Sequence, residues 1–237
     1  MIDLQQQLAS NLGTVQQRIK AAALRSGRQA QDVDLIAVCK YVSSDITAAL
    51  VSAGCQQLGE SRPQQLWDKR KTLAHLSIRW HMIGHLQSNK INKAVETFDR
   101  IDSIDSKKLA NKINKRALQL NKIIPVLLEI NTSGEKQKHG FPSEAIDDIL
   151  SCLEKKNLKT EGLMTVGPLT ENQQDIRISF SRLRSLLESI NGQLPGGYSK
   201  MNTLSMGMSN DYLLGVEEGS TMVRIGTAIF GPRGIHT

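Results

Sequence analysis

A lysine closes the stretch DLIAVCKYVS (34–43): an apolar run ends, and Lys40 stands where it stops. One reading is a surface lysine whose methylene stem lies along apolar neighbours while its charge reaches water. The other is a reactive amine held over a pocket, able to attack an aldehyde when neutral. Two later stretches bear on the choice, LSMGMSND (204–211) and GSTMVRIGTAIFG (219–231). In the first, the apolar run breaks at Gly207 and passes to Ser209, Asn210 and Asp211, residues suited to cap a short helix through Tyr212, Leu213 and Val216. Free main-chain N–H groups, a hydroxyl and a glycine that permits close approach together receive an anion. Gly226 and Thr227 offer the same kind of groups in the second stretch. Taken singly, each set of glycines reads equally well as a turn; taken together they favour a phosphate.

Arg224 lies inside MVRIG, an otherwise apolar run, with Val223 and Ile225 directed to the opposite side of the sheet. A buried guanidinium needs an acceptor, since an unpaired buried charge is costly. An amine, an anion cradle and an inward arginine fit pyridoxal 5′-phosphate, with Lys40 at the aldehyde carbon, the phosphate at 207–209 and 226–227, and the ring nitrogen toward Arg224. A Schiff-base aldolase acting on a phosphosugar would use a similar lysine and phosphate site, with less need of the arginine.

These residues require a scaffold. Runs of strand length recur at 35–40, 56–60, 79–84, 100–105, 124–130, 159–166, 201–207 and 222–230. Amphipathic stretches lie between them, such as Leu109, Ile113, Ala117 and Leu120, or Ile176, Phe180, Leu183, Leu187 and Ile190. A further helix is predicted from Phe141-Pro142-Ser143 through Leu153, and a leading helix over 1–28 with Leu4, Leu8, Leu12, Val15 and Ile19 on one side. Strands alternating with helices imply parallel pairing. The expected fold is therefore α/β, a single (β/α)8 TIM-type barrel over 35–231 with an extra N-terminal helix, the whole of 1–237 forming one domain. An open doubly wound sheet is the alternative. In such a barrel, functional groups gather at the C-terminal ends of the strands, where Lys40 falls.

Composition narrows the function classes. No apolar run approaches the roughly 18 residues of a membrane span, and MIDLQQQLASNLG lacks the basic and apolar regions of a signal peptide. Cys39, Cys55 and Cys152 are widely spaced and odd in number, which fits a reducing cytoplasm and neither a disulfide framework nor a zinc site. Cys39 should face the helices as an inert thiol. A net charge of +7 favours anionic partners. The basic clusters DKRK (68–71) and NKINKRA (111–117) read as solvated helix faces, and with 4% aromatic residues there is no stacking platform for nucleic acid.

The chain resembles the pyridoxal phosphate homeostasis proteins, one-domain relatives of the barrel domain of alanine racemase. LIAVCK, AGCQQLGE, WHMIGHLQSNK, INTSGEKQKHGF, EGLMT and LSMGMSNDYLLGVEEGSTMVRIGTAIFG carry the likeness in order, from about residue 33 to 231. The resemblance implies the barrel, Lys40 as the amine forming a reversible Schiff base with the cofactor, and Ser205, Gly207, Ser209, Gly226 and Thr227 around the phosphate. It further implies Arg224 at the ring nitrogen, Ser61 beside the ring, no metal, and a cytoplasmic role in vitamin B6 and amino-acid balance without strong catalysis. Two departures stand out. The family reads S-K-T-K-P where this chain has Cys39-Lys40-Tyr41-Val42-Ser43, so the second lysine is replaced by Val42. It reads G-E-N where this chain has Gly59-Glu60-Ser61.

Chemistry sharpens the expectation. The pocket should depress the Lys40 pKa, through burial or the charge of Arg224. Arginine stays protonated, so a ring nitrogen bonded to it stays unprotonated and the ring is a poor electron sink. The racemase takes its second base from a further domain through dimerisation, and this chain stops at Thr237. A monomeric carrier that passes the cofactor to amino acids or recipient apo-enzymes is the expected role. A weak amino-acid racemase, with His81, His85 or Tyr41 as the second base, is the alternative. Glu129 and Asn131 read equally as site-orienting groups or as anchors of the loop INTSGEKQKHG.

Overall fold

The computed structural model describes residues 4–135 and 137–231. Residues 1–3 of the predicted leading helix, Lys136 of the INTSGEKQKHG loop and residues 232–237 of the predicted domain lie outside the described set. Helix α1 (Leu4–Arg25) buries Leu8, Leu12, Val15 and Ile19, the stripe that four- and three-residue spacing lays on one side. Eight parallel strands follow: β1 (Asp34–Val38), β2 (Gln57–Glu60), β3 (Arg79–Met82), β4 (Arg100–Ile104), β5 (Ile124–Asn131), β7 (Leu158–Met164), β8 (Thr203–Met208) and β9 (Met222–Ile225). Each pairs with its neighbour in that order. Pairings of β9 with β1 and of β4 with β5 close the sheet into a barrel. A two-residue strand, β6 (Phe141–Pro142), adds to the end of β5.

The helices between them are α2 (Ser44–Ser52), α3 (Pro63–Thr72), α4 (Ile91–Thr97), α5 (Lys107–Gln119), α6 (Ile146–Leu153), α7 (Gln173–Gln193) and α8 (Tyr212–Glu217), and α9 (Thr227–Phe230) follows β9. Their apolar faces and the outward side of the strands make one large core that includes Leu58, Ile101, Val126, Leu163, Phe180, Val223 and Ile225. Ile36, Leu127, Met164 and Met222 form a separate, smaller cluster. Since side chains alternate across a strand, Val223 and Ile225 in the outer core place Met222 and Arg224 inside the barrel.

Local expectations fail where apolar content and geometry part company. The last strand was expected over 222–230, but β9 stops at Ile225 and 227–230 coil into α9. Ile229 and Phe230 are apolar because they bury beneath α1, where the Asn11 side-chain amide donates to the Ile229 carbonyl. The helix predicted from Phe141 begins at Ile146, because Phe141 and Pro142 first pair with Ile130 and Asn131. The first strand ends at Val38 rather than Lys40, although the Cys39 N–H still donates to the Gly59 carbonyl. DKRK is not a fully solvated face. Lys69 is buried, while Arg70 turns to Asp99 and the Thr97 carbonyl. Among the described residues, no helix is long and apolar enough to cross a membrane.

Candidate functional site

The C-terminal ends of β1, β7, β8 and β9 surround a cavity of about 850 Å³. Lys40 and, more than 160 positions later in the sequence, Ser209, Arg224, Gly226 and Thr227 all line it. Asp211, Lys138 and the Val166–Thr170 loop complete its wall. A second recess of about 510 Å³ shares Lys40 and is lined by Ser61, Arg62, His85 and Lys90. A larger cleft, about 1020 Å³, lies between α7 and the loop after β5, away from these groups.

Arg224 is 4% exposed and held from two sides. One terminal nitrogen donates to the Ser205 carbonyl at 2.9 Å and hydroxyl at 2.6 Å, the other to the Thr165 carbonyl at 2.8 Å. Ser205 is thus engaged by the arginine itself. Burial draws the Arg224 pKa down, and the charges of Glu129, Asp102 and Asp211 oppose that. Glu129 feels the converse. Burial raises its carboxyl to about 7 against the pull of Arg224, with Asp105 raising it further and His85 lowering it.

Gly207 has φ +100, and a Cβ there would stand 2.8 Å from the Tyr212 Cα, so the chain turns at this point only because the residue is glycine. The expected capping role of the Ser209–Asp211 run is redistributed. Asp211 is the N-cap of α8 without a capping side-chain bond, its carboxylate accepting from the Met208 N–H instead. Ser209 reaches across to β9, where its hydroxyl accepts from the Gly226 and Ala228 N–H groups, both at 3.2 Å. Ser209, Gly226 and Thr227 line the cavity wall together, so main-chain donors and hydroxyls of the kind that receive anionic oxygens gather there.

Lys40 is exposed in a turn. Its neighbour Tyr41 has φ +67, unusual for a residue with a side chain, and is 63% exposed. The Lys40 amine lies 5.9 Å from the Tyr41 ring centre, and Arg62 covers the same ring at 5.2 Å. The turn is held from below by a group that the sequence reading missed. Buried Lys69 donates to the Cys39 carbonyl at 2.6 Å and to Glu60 at 2.9 Å, while Glu60 also accepts from the Ser61 N–H. The available signal was spacing: Pro63, Leu66 and Lys69 are buried at intervals of three along α3.

The remaining candidates separate. His81 is buried against Asp102, which also accepts from Arg100, and Arg100 continues to Glu161. Burial by itself would raise the Asp102 carboxyl, but His81 and Arg100 hold it below its ordinary value. This network lies in the barrel interior and engages the His81 Nδ1, while its Nε2 is buried without a partner. His85 sits at the rim with Asp105. Asn131 organises its own loop, donating to the Glu135 carbonyl and accepting from the Ser133 hydroxyl and Gly134 N–H. Cys39 is fully buried and its thiol is pushed up to about 12, so it stays protonated and inert.

Comparison with known proteins places this arrangement among relatives. Residues 5–234 match the family model described as the alanine racemase N-terminal domain. The chain is 38% identical over 227 residues to the pyridoxal phosphate homeostasis protein of Aquifex aeolicus (strain VF5), covering 94% of this chain and 96% of that one. A protein of unknown function from Bifidobacterium adolescentis superposes with a TM-score of 0.91 at 36% identity, covering 97% of this chain and 98% of that one. PipY of Synechococcus elongatus PCC7942, solved with PLP bound, superposes with a TM-score of 0.82 at 31% identity, covering 94% and 100%.

Proposed function

This chain belongs to the alanine racemase N-terminal domain family and, within it, to the pyridoxal phosphate homeostasis proteins, and on that premise we propose that it binds pyridoxal 5′-phosphate reversibly and acts as a carrier. One observation carries the proposal: Lys40, Arg224 and the Ser209, Gly226 and Thr227 patch line a single cavity.

The residues fit the group by charge and shape. The Gly226 and Ala228 N–H groups converge on one oxygen, that of Ser209, and a phosphate oxygen taking its place would receive both. Gly207, with no Cβ to meet Tyr212, lets β8 turn into the Ser209–Asp211 run that lines the cavity. Arg224, fixed by Ser205 and Thr165, presents a permanent donor suited to a ring nitrogen. When bound, the cofactor supplies an aldehyde that condenses reversibly with a primary amine and releases water. Lys40 is the amine at the cavity mouth, and its exposure lets an incoming amine compete for the same carbon.

Arg224 also disfavours catalysis. It cannot donate its proton outright, so it leaves a bonded ring nitrogen neutral and provides little support for carbanion chemistry. His81 is fully buried in the barrel interior against Asp102 and lines neither recess that Lys40 faces. These features support a carrier that yields the cofactor to amino acids or recipient apo-enzymes, and the proposal takes it to be monomeric and cytoplasmic. A weak racemase-like activity is favoured by one observation: His85, bonded to Asp105, shares the smaller recess with Lys40.

The test is to incubate the purified chain with pyridoxal phosphate, reduce with borohydride and map the adduct by mass spectrometry. Modification of Lys40, absent in Lys40→Ala, is the expected result. Labelling spread over surface lysines and unchanged in Lys40→Ala would refute it. Steady racemisation of an L-amino acid that Lys40→Ala abolishes would replace the carrier with the enzyme.

A further inference from the structure

We propose that His85, Asp105 and His139 form a binding site for a divalent first-row transition ion at the rim of the barrel. Their ligand atoms lie within 4.8 Å of one another, a spread that one small cation can span. His85 follows β3, Asp105 follows β4 and His139 lies in the loop between β5 and β6, so three separate strand ends deliver them. The His85 Nδ1 stands 2.9 Å from Asp105 Oδ2, and the His139 Nδ1 stands 3.9 Å from that same oxygen.

The supporting groups orient this set. The Ser106 hydroxyl donates to Asp105 Oδ1 at 3.0 Å, leaving Oδ2 directed at the two imidazoles. Such outer hydrogen bonds commonly orient metal-binding carboxylates. Gly140, with φ +118, follows His139; a Cβ there would meet the Asn131 nitrogen at 2.7 Å, so the loop packs directly on the β5 backbone and brings His139 to the rim. The two rings stack 3.9 Å apart with an interplanar angle of 14°. Two nitrogens and one oxygen therefore gather within reach of a single ion.

Two imidazoles and a carboxylate suit Zn²⁺, Co²⁺, Ni²⁺ or Fe²⁺, and three protein ligands leave further positions open to water or a small anion. Both histidine side chains are about half exposed, 42% and 56%, so an ion can reach them from solvent. Competing soft ligands are out of reach, since Cys39, Cys55 and Cys152 are all buried. The net charge of +7 works against diffuse cation accumulation, which makes a saturable stoichiometry informative.

The full-length chain is titrated with cobalt chloride, followed by the visible d–d bands, and with zinc chloride by calorimetry; neither readout depends on pyridoxal phosphate. One saturable ion per chain is expected. His139→Ala and Asp105→Asn should each weaken binding about tenfold or more, while His75→Ala, at an exposed histidine elsewhere, should leave it unchanged. His139→Gln provides a second loss of ligand should His139→Ala shift the thermal midpoint. Binding that never saturates, that survives both His139 and Asp105 substitutions, or that falls equally in His75→Ala would overturn the proposal.

Discussion

Arg224 and Lys40 face one cavity, and their surroundings differ in kind. Arg224 is sunk in the barrel, its terminal nitrogens anchored on Ser205 and Thr165 with one Nη2 hydrogen left over, and Glu129, Asp102 and Asp211 supply negative charge nearby. Lys40 stands in a turn open to solvent, beside an exposed tyrosine in a left-handed conformation. The turn itself is not loose, because Lys69 and Glu60 anchor its backbone from within. One end is a fixed polar frame integral to the fold. The other is a free amine on a fixed support. A carrier needs that division: tight geometry where a ligand is recognised, and access where it is exchanged.

The sharpest break of the comparison pairs two substitutions. Arg224→Met strips the barrel interior of a cation and leaves Glu129 and Asp102 with less compensation. It should cost about 3–5 kcal/mol, the scale for breaking a buried charge network, read from urea unfolding. Lys40→Ala should change stability by less than about 0.5 kcal/mol while abolishing borohydride-trapped cofactor. Equal destabilisation by both would erase the distinction.

Next comes the pH dependence of the fixed frame. Glu129 titrates near 7 in the folded protein against an ordinary 4.5, so the folded state holds the proton more tightly than the unfolded chain. Stability should therefore fall as pH rises between those two values, reaching a loss of about 3 kcal/mol above pH 7. Glu129→Gln should flatten that slope, matching the parent at low pH and exceeding it at pH 8, with a chelator present throughout. A parallel pair of pH–stability curves would show that Glu129 is not the group responsible.

Gly207→Ala probes the turn where the frame meets the cavity. Positive φ and a Cβ 2.8 Å from backbone leave nothing flexible to yield, and a loss of about 1–3 kcal/mol is expected, measured by thermal unfolding with and without cofactor. The smallest effect should come from Ser209→Ala. Its hydroxyl contributes about 1 kcal/mol through two accepted bonds, and cofactor affinity should fall more than stability does.

The barrel itself was legible because runs of strand length, several of them apolar, recur along the chain with helical stripes between them. The identity of Arg224 as an inward group followed from alternation alone, with apolar Val223 and Ile225 on either side. Apolarity could not reveal its cause at the chain's end: Ile229 and Phe230 look like strand residues but bury under α1 as a short helix. A charged residue on a helix likewise carries no mark of its partner, so Lys69 read as solvated although a carbonyl and a carboxylate await it in the barrel wall.

Side-chain periodicity and turn chemistry are local properties, and they determined the alternation of strands and helices and the strand ends that carry Lys40, Gly207, Ser209 and Gly226; that the sheet closes instead of staying open rests on the pairing of β9 with β1. Contacts between residues distant in the chain depend on how strands stagger and loops lean. Only the tertiary structure decided that Ser209 bonds across to β9, that Lys69 steadies the Lys40 turn, and that His85, Asp105 and His139 meet. Closure brings residues scores of positions apart to within hydrogen-bonding distance, and no spacing along the chain encodes that separation.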